Sequence, residues 1–157
     1  MNTLKKYVKP IEGELKRTVG SFKFEKENHA WGVKKESECL PFIKEILGDV
    51  KHDKGTFNSF DFSTKDYNIE LKSRTISSNL FDTTFTTPIK RDKANKSNKK
   101  VLWLFNFTDG LFYLDFNENK ELINNLQTDV YNTRYGERAN INIPIKLLKN
   151  WDTFEKV

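Results

Sequence analysis

The sequence predicts an α+β fold in which a mixed central sheet of about five strands is flanked by helices. Residues 31–48 carry apolar side chains at helical spacing and end at a glycine. Residues 57–72 alternate apolar and polar side chains on both sides of a polar turn, as a β-hairpin does. The run 101–105 is almost entirely hydrophobic, which is typical of a strand buried on both faces at the centre of a sheet.

Length and composition favour one domain, spanning residues 1–157, with its own core. Lys and Arg outnumber Asp and Glu by 27 to 22, which permits an anionic partner without requiring one. The single cysteine, Cys39, excludes an intramolecular disulfide and fits a reducing cytoplasm. Because no apolar run approaches membrane-spanning length, we expect a cytoplasmic protein with no membrane partner.

The first residues have a helical pattern of their own. Apolar side chains recur at helical spacing over residues 4–19, with a break expected at Pro10 and an end at Gly20. We expect residues 1–20 to form a peripheral helical segment, which either caps the core or makes a contact between subunits.

The predicted hairpin places three ionisable side chains on one face. Asp61 lies between two phenylalanines on the first strand, and Glu70 and Lys72 lie two residues apart on the second. Carboxylate oxygens are suitable ligands for Mg²⁺, so the two acids are candidate metal ligands and Lys72 is placed to act on a water. The simpler interpretation is an exposed polar face, which a Glu-x-Lys pattern on its own more often indicates.

One acidic residue falls on the apolar face of the predicted helix 31–48. Glu36 shares that face with Ile43 and Leu47, and an unpaired buried carboxylate is costly. Two readings are open. Either Glu36 meets a cation and is a fourth candidate acid beside the hairpin, or the helix frays around Pro41 and leaves Glu36 exposed.

The segment after the hairpin is polar and then basic. Residues 74–80 are predicted to be irregular, residues 82–88 are threonine-rich and strand-like, and residues 90–100 contain six Lys and Arg against one Asp. A charge run is usually a solvated loop or helix, but this one follows the candidate site, where a phosphate backbone would need neutralising. Further elements are predicted at 111–116, 121–126, 141–145 and 146–151, after a turn at 108–110.

The order of these motifs resembles the PD-(D/E)xK nuclease superfamily, in the branch represented by the restriction endonuclease PvuII and the mismatch-repair endonuclease MutH. The resemblance spans roughly residues 32–148 and is carried by Gly32-Val33-Lys34-Lys35-Glu36, Asp61-Phe62, Ile69-Glu70-Leu71-Lys72-Ser73, Asp82-Thr83-Thr84-Phe85 and Lys99-Lys100-Val101-Leu102-Trp103. It implies a restriction-endonuclease-like fold with a nuclease core over 32–148. Phe60 departs from the proline of the superfamily name, and the choice of the acidic helix residue among Glu36, Glu38 and Glu45 stays open.

The resemblance also implies a mechanism, Mg²⁺-dependent hydrolysis of phosphodiester bonds in double-stranded DNA. Asp61, Glu70 and the backbone carbonyl of Leu71 would hold Mg²⁺, Lys72 would position or deprotonate the attacking water, and Glu36 would bind a second metal or orient water. Phosphate contacts are expected from Arg74, Lys90, Arg91 and Lys93, and base-edge contacts from Asn79, Asp82, Thr83, Thr84, Thr86 and Thr87.

Among nucleases, the short chain favours a sequence-specific type II restriction endonuclease acting as a homodimer, with residues 1–20 as a candidate dimer contact. The enzyme alternatives are a MutH-like site-specific nicking endonuclease and a structure-specific nuclease. A DNA-binding domain that keeps the nuclease fold without activity is the non-enzyme alternative; the presence of Asp61, Glu70 and Lys72 argues against it.

Overall fold

A computed structural model describes residues 29–53 and 60–156; the predicted N-terminal helical segment, 1–20, lies outside these ranges. The described residues form a mixed α and β structure, which confirms the predicted class. Its elements in chain order are helix α1 (29–47), β1 (Lys51–His52), β2 (Phe62–Ser63), β3 (Tyr67–Ser73), β4 (Thr83–Thr86), helix α2 (Pro88–Asn95), β5 (Lys100–Phe107), β6 (Gly110–Asp115), helix α3 (Lys120–Asn124), β7 (Thr128–Thr133), β8 (Gly136–Pro144) and β9 (Lys149–Asn150). The 3₁₀ turns Ile145–Leu147 and Trp151–Thr153 flank β9.

The described strands form two sheets. The larger has six strands in the order β1-β2-β3-β5-β6-β9, and β3–β5 is its parallel pair while the other neighbours are antiparallel. The crossover from β3 to β5 contains β4 and α2. β4 pairs with β8 and β8 with β7 in a separate three-stranded antiparallel sheet, which the sequence did not predict.

Strand β5 is buried on both faces, as its hydrophobic run predicts. Leu102 and Leu104 point into one core, together with α1 and the C-terminal Trp151 and Phe154. The alternate residues of β5 point into a second core; they are Val101, Trp103, Phe105 and Phe107. The same core contains Ala94 of α2, Ile123 of α3 and Ile143 of β8. The larger sheet is therefore covered on both faces.

Helix α1 packs on the first core through Cys39, Ile43 and Leu47. It ends where predicted, because Gly48 takes a positive φ of 82° and its N–H donates to the carbonyl of Lys44 at 2.8 Å. The helix continues through the exposed Pro41, so of the two interpretations left open, the one in which the helix frays there is wrong. No helix in the described ranges has both the length and the apolar character needed to cross a membrane.

Candidate active site

The hairpin of β2 and β3 is the structural base of the site. Phe62 pairs with Ile69 and Ser63 with Asn68, so the next pair along the ladder places Asp61 opposite Glu70. The turn is closed by Thr64, whose side-chain oxygen accepts hydrogen bonds from the backbone N–H groups of Asp66 and Tyr67. Because side chains alternate along β3, Tyr67, Ile69 and Leu71 enter the first core and Glu70 and Lys72 point away from it. The predicted hairpin and its two faces are confirmed.

Asp61 is held on the edge of β3 by the backbone. Its Oδ2 accepts a hydrogen bond from the N–H of Leu71 at 2.8 Å. Burial, followed by the charge of Glu70, raises the pKa of Asp61 to about 7, and the Leu71 hydrogen bond only partly opposes this. The two carboxyl groups are therefore close enough to repel each other, and Asp61 takes up a proton more readily than an exposed aspartate does.

Glu70 is paired with two ammonium groups from helix α2. Its side chain is 3% exposed, and Lys90 Nζ lies 3.2 Å from Glu70 Oε2 while Lys93 Nζ contacts Oε1. The helix begins beside the site because Thr87 is its N-cap and Pro88 occupies its first turn. Burial alone would lower the pKa of Lys90, but the attraction of Glu70 outweighs it and the pKa is raised.

Lys72 is the third hairpin residue of the predicted site. Burial is the largest influence on its ammonium group, and the positive charge of Lys90 acts in the same direction, so the pKa of Lys72 is lowered despite the nearby Glu70 and Asp61. A lysine of this kind loses its proton more readily than an exposed one.

Glu36 has a partner, the imidazole of His52, where one of the two interpretations of helix α1 predicted a cation. Its Oε1 lies 3.0 Å from Nε2 of His52, and the Glu36 and His52 side chains are 16% and 6% exposed. The His52 ring also packs against Phe62 at a centroid distance of 4.7 Å. Of the three acidic candidates on the helix, Glu36 lines the cleft of the site, whereas Glu38 pairs with Lys35 and Glu45 is exposed.

These groups open into one cleft with a volume of about 1070 Å³. Its apolar lining includes Leu80, Phe81 and Phe85. Its acidic lining residues are Glu36, Asp61 and Glu70, and its basic ones include Lys72, Arg74 and Lys90. The structure thus brings together all four residues predicted to be catalytic.

The described residues contain no group of three or more His, Cys, Asp or Glu side chains placed to hold a metal ion. The ligand set predicted from the sequence needs only two carboxylates and a backbone carbonyl, and Asp61, Glu70 and Leu71 are adjacent. Glu70 is already paired with Lys90 and Lys93, so a cation that bound both carboxyl groups would replace these ammonium groups at Glu70. Carboxylate and carbonyl oxygens are the donor types that a hard divalent cation takes, so the donor set fits Mg²⁺. The Mg²⁺ site stays a prediction.

The residues predicted to contact phosphates have different surroundings. Lys90 and Lys93 are engaged with Glu70. Arg91 donates to the carbonyls of Ile123 and Leu126 at the end of α3, both at 3.3 Å, which is a structural contact. Arg74 lines the cleft, stacks on Phe85 at 4.4 Å and donates to the Phe85 carbonyl at 2.6 Å.

Two of the threonines predicted to contact base edges lie on the buried face of the smaller sheet. Thr84 and Thr86 are each only 4% exposed because they pair with Ile143 and Ile141 on the core face of the smaller sheet. Thr83 is half-buried, Asn79 and Asp82 are exposed, and Thr87 caps helix α2. The base-edge prediction is therefore corrected for Thr84 and Thr86, whose side chains DNA cannot reach in this arrangement.

Sequence reasoning missed two features of this region. His52 lacked any motif that would link it to Glu36, because the pair is joined only by the packing of β1 beside α1. The β7–β8 hairpin was also missed, although Ile141 and Ile143 alternate with Asn140 and Asn142, a period-2 signal that extends the predicted strand toward its N-terminus.

No protein-family model matches this sequence, and no curated protein matches it either.

Proposed function

We propose that this protein is a Mg²⁺-dependent, sequence-specific endonuclease that hydrolyses phosphodiester bonds in duplex DNA, of the type II restriction class. The observation that carries the proposal is the meeting of the Asp61 and Glu70 carboxyl groups with the Lys72 amine in one cleft. Two carboxylates can hold a divalent metal ion for phosphodiester hydrolysis, and a lysine beside them can act on the attacking water.

The donor set supports a hard cation. Asp61 and Glu70 supply carboxylate oxygens, and Leu71 adds a backbone carbonyl. In an extended strand the N–H and C=O of one residue point to the same side, so the Leu71 carbonyl is expected to point toward Asp61, as its N–H does. A bound Mg²⁺ would stabilise charge on the phosphate and lower the pKa of a coordinated water.

Lys72 is the residue we assign to the attacking water. Because its pKa is lowered, a larger fraction of the Lys72 amine than of an exposed lysine is in the neutral form that can accept a proton, and in its charged form it offsets negative charge on the phosphate. Glu36, held by His52, lines the same cleft and would orient that water or assist a second metal ion.

Positive charge around the cleft supports an anionic substrate. Arg74 lines the cleft and would contact a phosphate of the bound strand; Lys90 and Lys93 would do so when Mg²⁺ replaces them at Glu70. We further propose that the mixed sheet is a restriction-endonuclease-like core and that the protein acts in the cytoplasm as a homodimer, since cutting both strands of a symmetric site requires two active sites.

The test is cleavage of supercoiled plasmid and of long linear DNA of known sequence, with Mg²⁺ and with EDTA. We expect discrete fragments with Mg²⁺ only, and loss of cutting in Asp61→Asn, Glu70→Gln and Lys72→Met. Asp66→Asn is the matched control, because Asp66 is an exposed carboxylate in the turn of the same hairpin. Cutting that survives in the three site variants, or none by the folded wild-type protein with any divalent ion, would refute the proposal.

A further inference from the structure

Strand β7 forms one edge of the smaller sheet. Among the strands that the structure describes, its one neighbour is β8, whose other side pairs with β4. Two of its side chains are large, apolar and well exposed, Val130 at 59% and Tyr131 at 43%. Its sequence, TDVYNT, contains neither lysine nor proline, which commonly protect an edge strand from pairing. Within the described ranges, this edge is therefore open to another strand.

The turn of the hairpin determines which backbone groups of β7 point outward. Thr133 pairs with Gly136 across a two-residue turn, and such a closing pair exchanges both of its backbone hydrogen bonds. Hydrogen-bonded and non-hydrogen-bonded pairs alternate along an antiparallel ladder, so the backbones of Tyr131 and Asp129 also bond to β8. The backbone N–H and C=O groups of the other three residues point away from β8; these residues are Thr128, Val130 and Asn132.

The outward groups of β7 are complementary to those of a second copy of the same strand. In an antiparallel pair, a two-fold axis at Val130 places Val130 opposite its own copy and Thr128 opposite Asn132 of the second copy. All three outward residues of both strands are then hydrogen-bonded. An axis at Tyr131 or at Asp129 leaves one of the three without a partner in the second β7. The axis at Val130 is therefore the register that the backbone favours.

The side chains of the two copies also match in this register. Val130 lies beside Ala139 within its own hairpin, so the axis joins two valines and two alanines in one apolar row. On the other face of the strand, Asp129 lies opposite Tyr131 of the second copy rather than opposite another acid. The Asp129 carboxylate also accepts a hydrogen bond from the side-chain amide of Asn142 at 2.5 Å, which holds it on that face. No row sets like charges against each other.

We infer that β7 is the contact through which two copies of this chain associate, with the two-fold axis at Val130 and one continuous antiparallel sheet across the dimer. The inference names the surface of the homodimer proposed above; it rests on that part of the proposed function and not on hydrolysis. A single strand edge buries less than the area of a stable interface, about 1,200–2,000 Å². We therefore expect a reversible dimer whose population rises with protein concentration.

The first test is sedimentation of the full-length protein over a range of concentrations, without DNA or Mg²⁺. We expect Val130→Lys to weaken association at least about tenfold, because it sets two ammonium groups against each other at the axis. Leu122→Lys is the matched control, since Leu122 is also an exposed apolar residue, 43% exposed, but lies on helix α3. It should associate as the wild-type protein does. Thermal unfolding verifies that each variant is folded.

The second test measures the register by cross-linking single-cysteine variants with a short bifunctional thiol reagent. Two copies of Val130→Cys meet at the axis and should cross-link. Thr128→Cys and Asn132→Cys should each fail to cross-link alone, because each lies roughly 14 Å along the strand from its own copy. A mixture of these two variants should form the mixed dimer. Cys39 does not interfere, because it is buried and burial raises the pKa of its thiol to about 11.

The inference is overturned if the dimer persists in Val130→Lys, if Leu122→Lys weakens it equally, or if Thr128→Cys or Asn132→Cys cross-links alone while Val130→Cys does not. A dimer that persists in Val130→Lys leaves the homodimer proposal standing on another surface. A wild-type protein that stays monomeric at every concentration overturns both, and a further segment of the same chain covering β7 would give that result. Plasmid cutting is a separate measurement, so its failure would refute the nuclease proposal and leave this contact standing.

Discussion

The carboxyl groups of Asp61 and Glu70 face each other across the β2–β3 hairpin, and each is held by a different neighbour. Asp61 accepts from the backbone N–H of Leu71, and Glu70 accepts from two lysines of helix α2. The pKa of Asp61 is raised to about 7 because its carboxyl is removed from water and lies beside the charge of Glu70. This asymmetry makes the site sensitive to pH and to single substitutions.

Asp61→Asn should stabilise the protein at high pH. The folded pKa of Asp61 is raised above the ordinary value of 3.8, so ionising it disfavours the folded state. The loss of stability caused by this ionisation is small below about pH 4, grows as pH rises from about 4 to 7, and reaches its full size above about pH 7. An asparagine keeps the acceptor for Leu71 and can donate to Glu70. We expect the free energy of unfolding to rise by about 2–4 kcal/mol at pH 8, measured by urea unfolding.

The control for this prediction is Asp66→Asn, which changes an exposed carboxylate on the same turn. Its effect on stability should stay small and independent of pH. If Asp61→Asn raised the free energy of unfolding as much at pH 4 as at pH 8, or lowered it at pH 8, the proposed ionisation of Asp61 would be contradicted.

Lys93→Met should destabilise the fold because it removes one of the two ammonium groups paired with the Glu70 carboxylate. The Glu70 side chain is 3% exposed, and Lys93 also lies over the ring of Phe60 at 4.6 Å. Removing one of two partners from a buried charge is expected to lower the free energy of unfolding by about 1–3 kcal/mol. Chemical denaturation of Lys93→Met, Glu70→Gln and the double variant would measure the coupling between the two side chains. Lys96→Met, at an exposed position of the same basic segment, is the control; equal effects at 93 and 96 would refute the pairing.

Arg91→Met should lower the stability of the fold and leave the number of phosphate contacts in DNA binding unchanged. Its guanidinium donates to two carbonyls at the end of α3, and it was predicted from sequence to contact phosphate. Loss of these charge-assisted bonds should lower the free energy of unfolding by about 1–2 kcal/mol. The number of counterions released on duplex binding, read from the salt dependence of affinity, should stay unchanged. A reduced salt dependence with unchanged stability would return Arg91 to the phosphate-contacting set.

The parts of the fold that could be predicted have strong periodicity. The buried strand β5, the α1 stripe ending at Gly48 and the alternation of β3 each depend on neighbours within one element, and sequence spacing records them. The position of Glu36 on an apolar stripe was also informative, since a carboxylate there requires a partner.

The missed parts depend on contacts between distant elements. Lys93 and Glu70 lie far apart in sequence, so composition marks Lys93 only as one cation of a basic run. Among the threonines of β4, no apolar alternation distinguishes the face of Thr84 and Thr86 from the face of Thr83 and Phe85. Only the pairing of β4 with β8 decides that question.

The most direct test of the central claim, that the paired carboxyls hold a divalent cation, is calorimetric titration of the full-length protein with Mg²⁺ at pH 6 and pH 8 without DNA. At pH 6 Asp61 is mostly protonated, so we predict affinity about tenfold weaker than at pH 8, with a proton released on binding. Asp61→Asn should bind at least about tenfold more weakly than wild type at pH 8, because it lacks one anionic ligand, and Asp66→Asn should bind normally. Equal affinity at both pH values, or wild-type affinity in Asp61→Asn, would contradict the account.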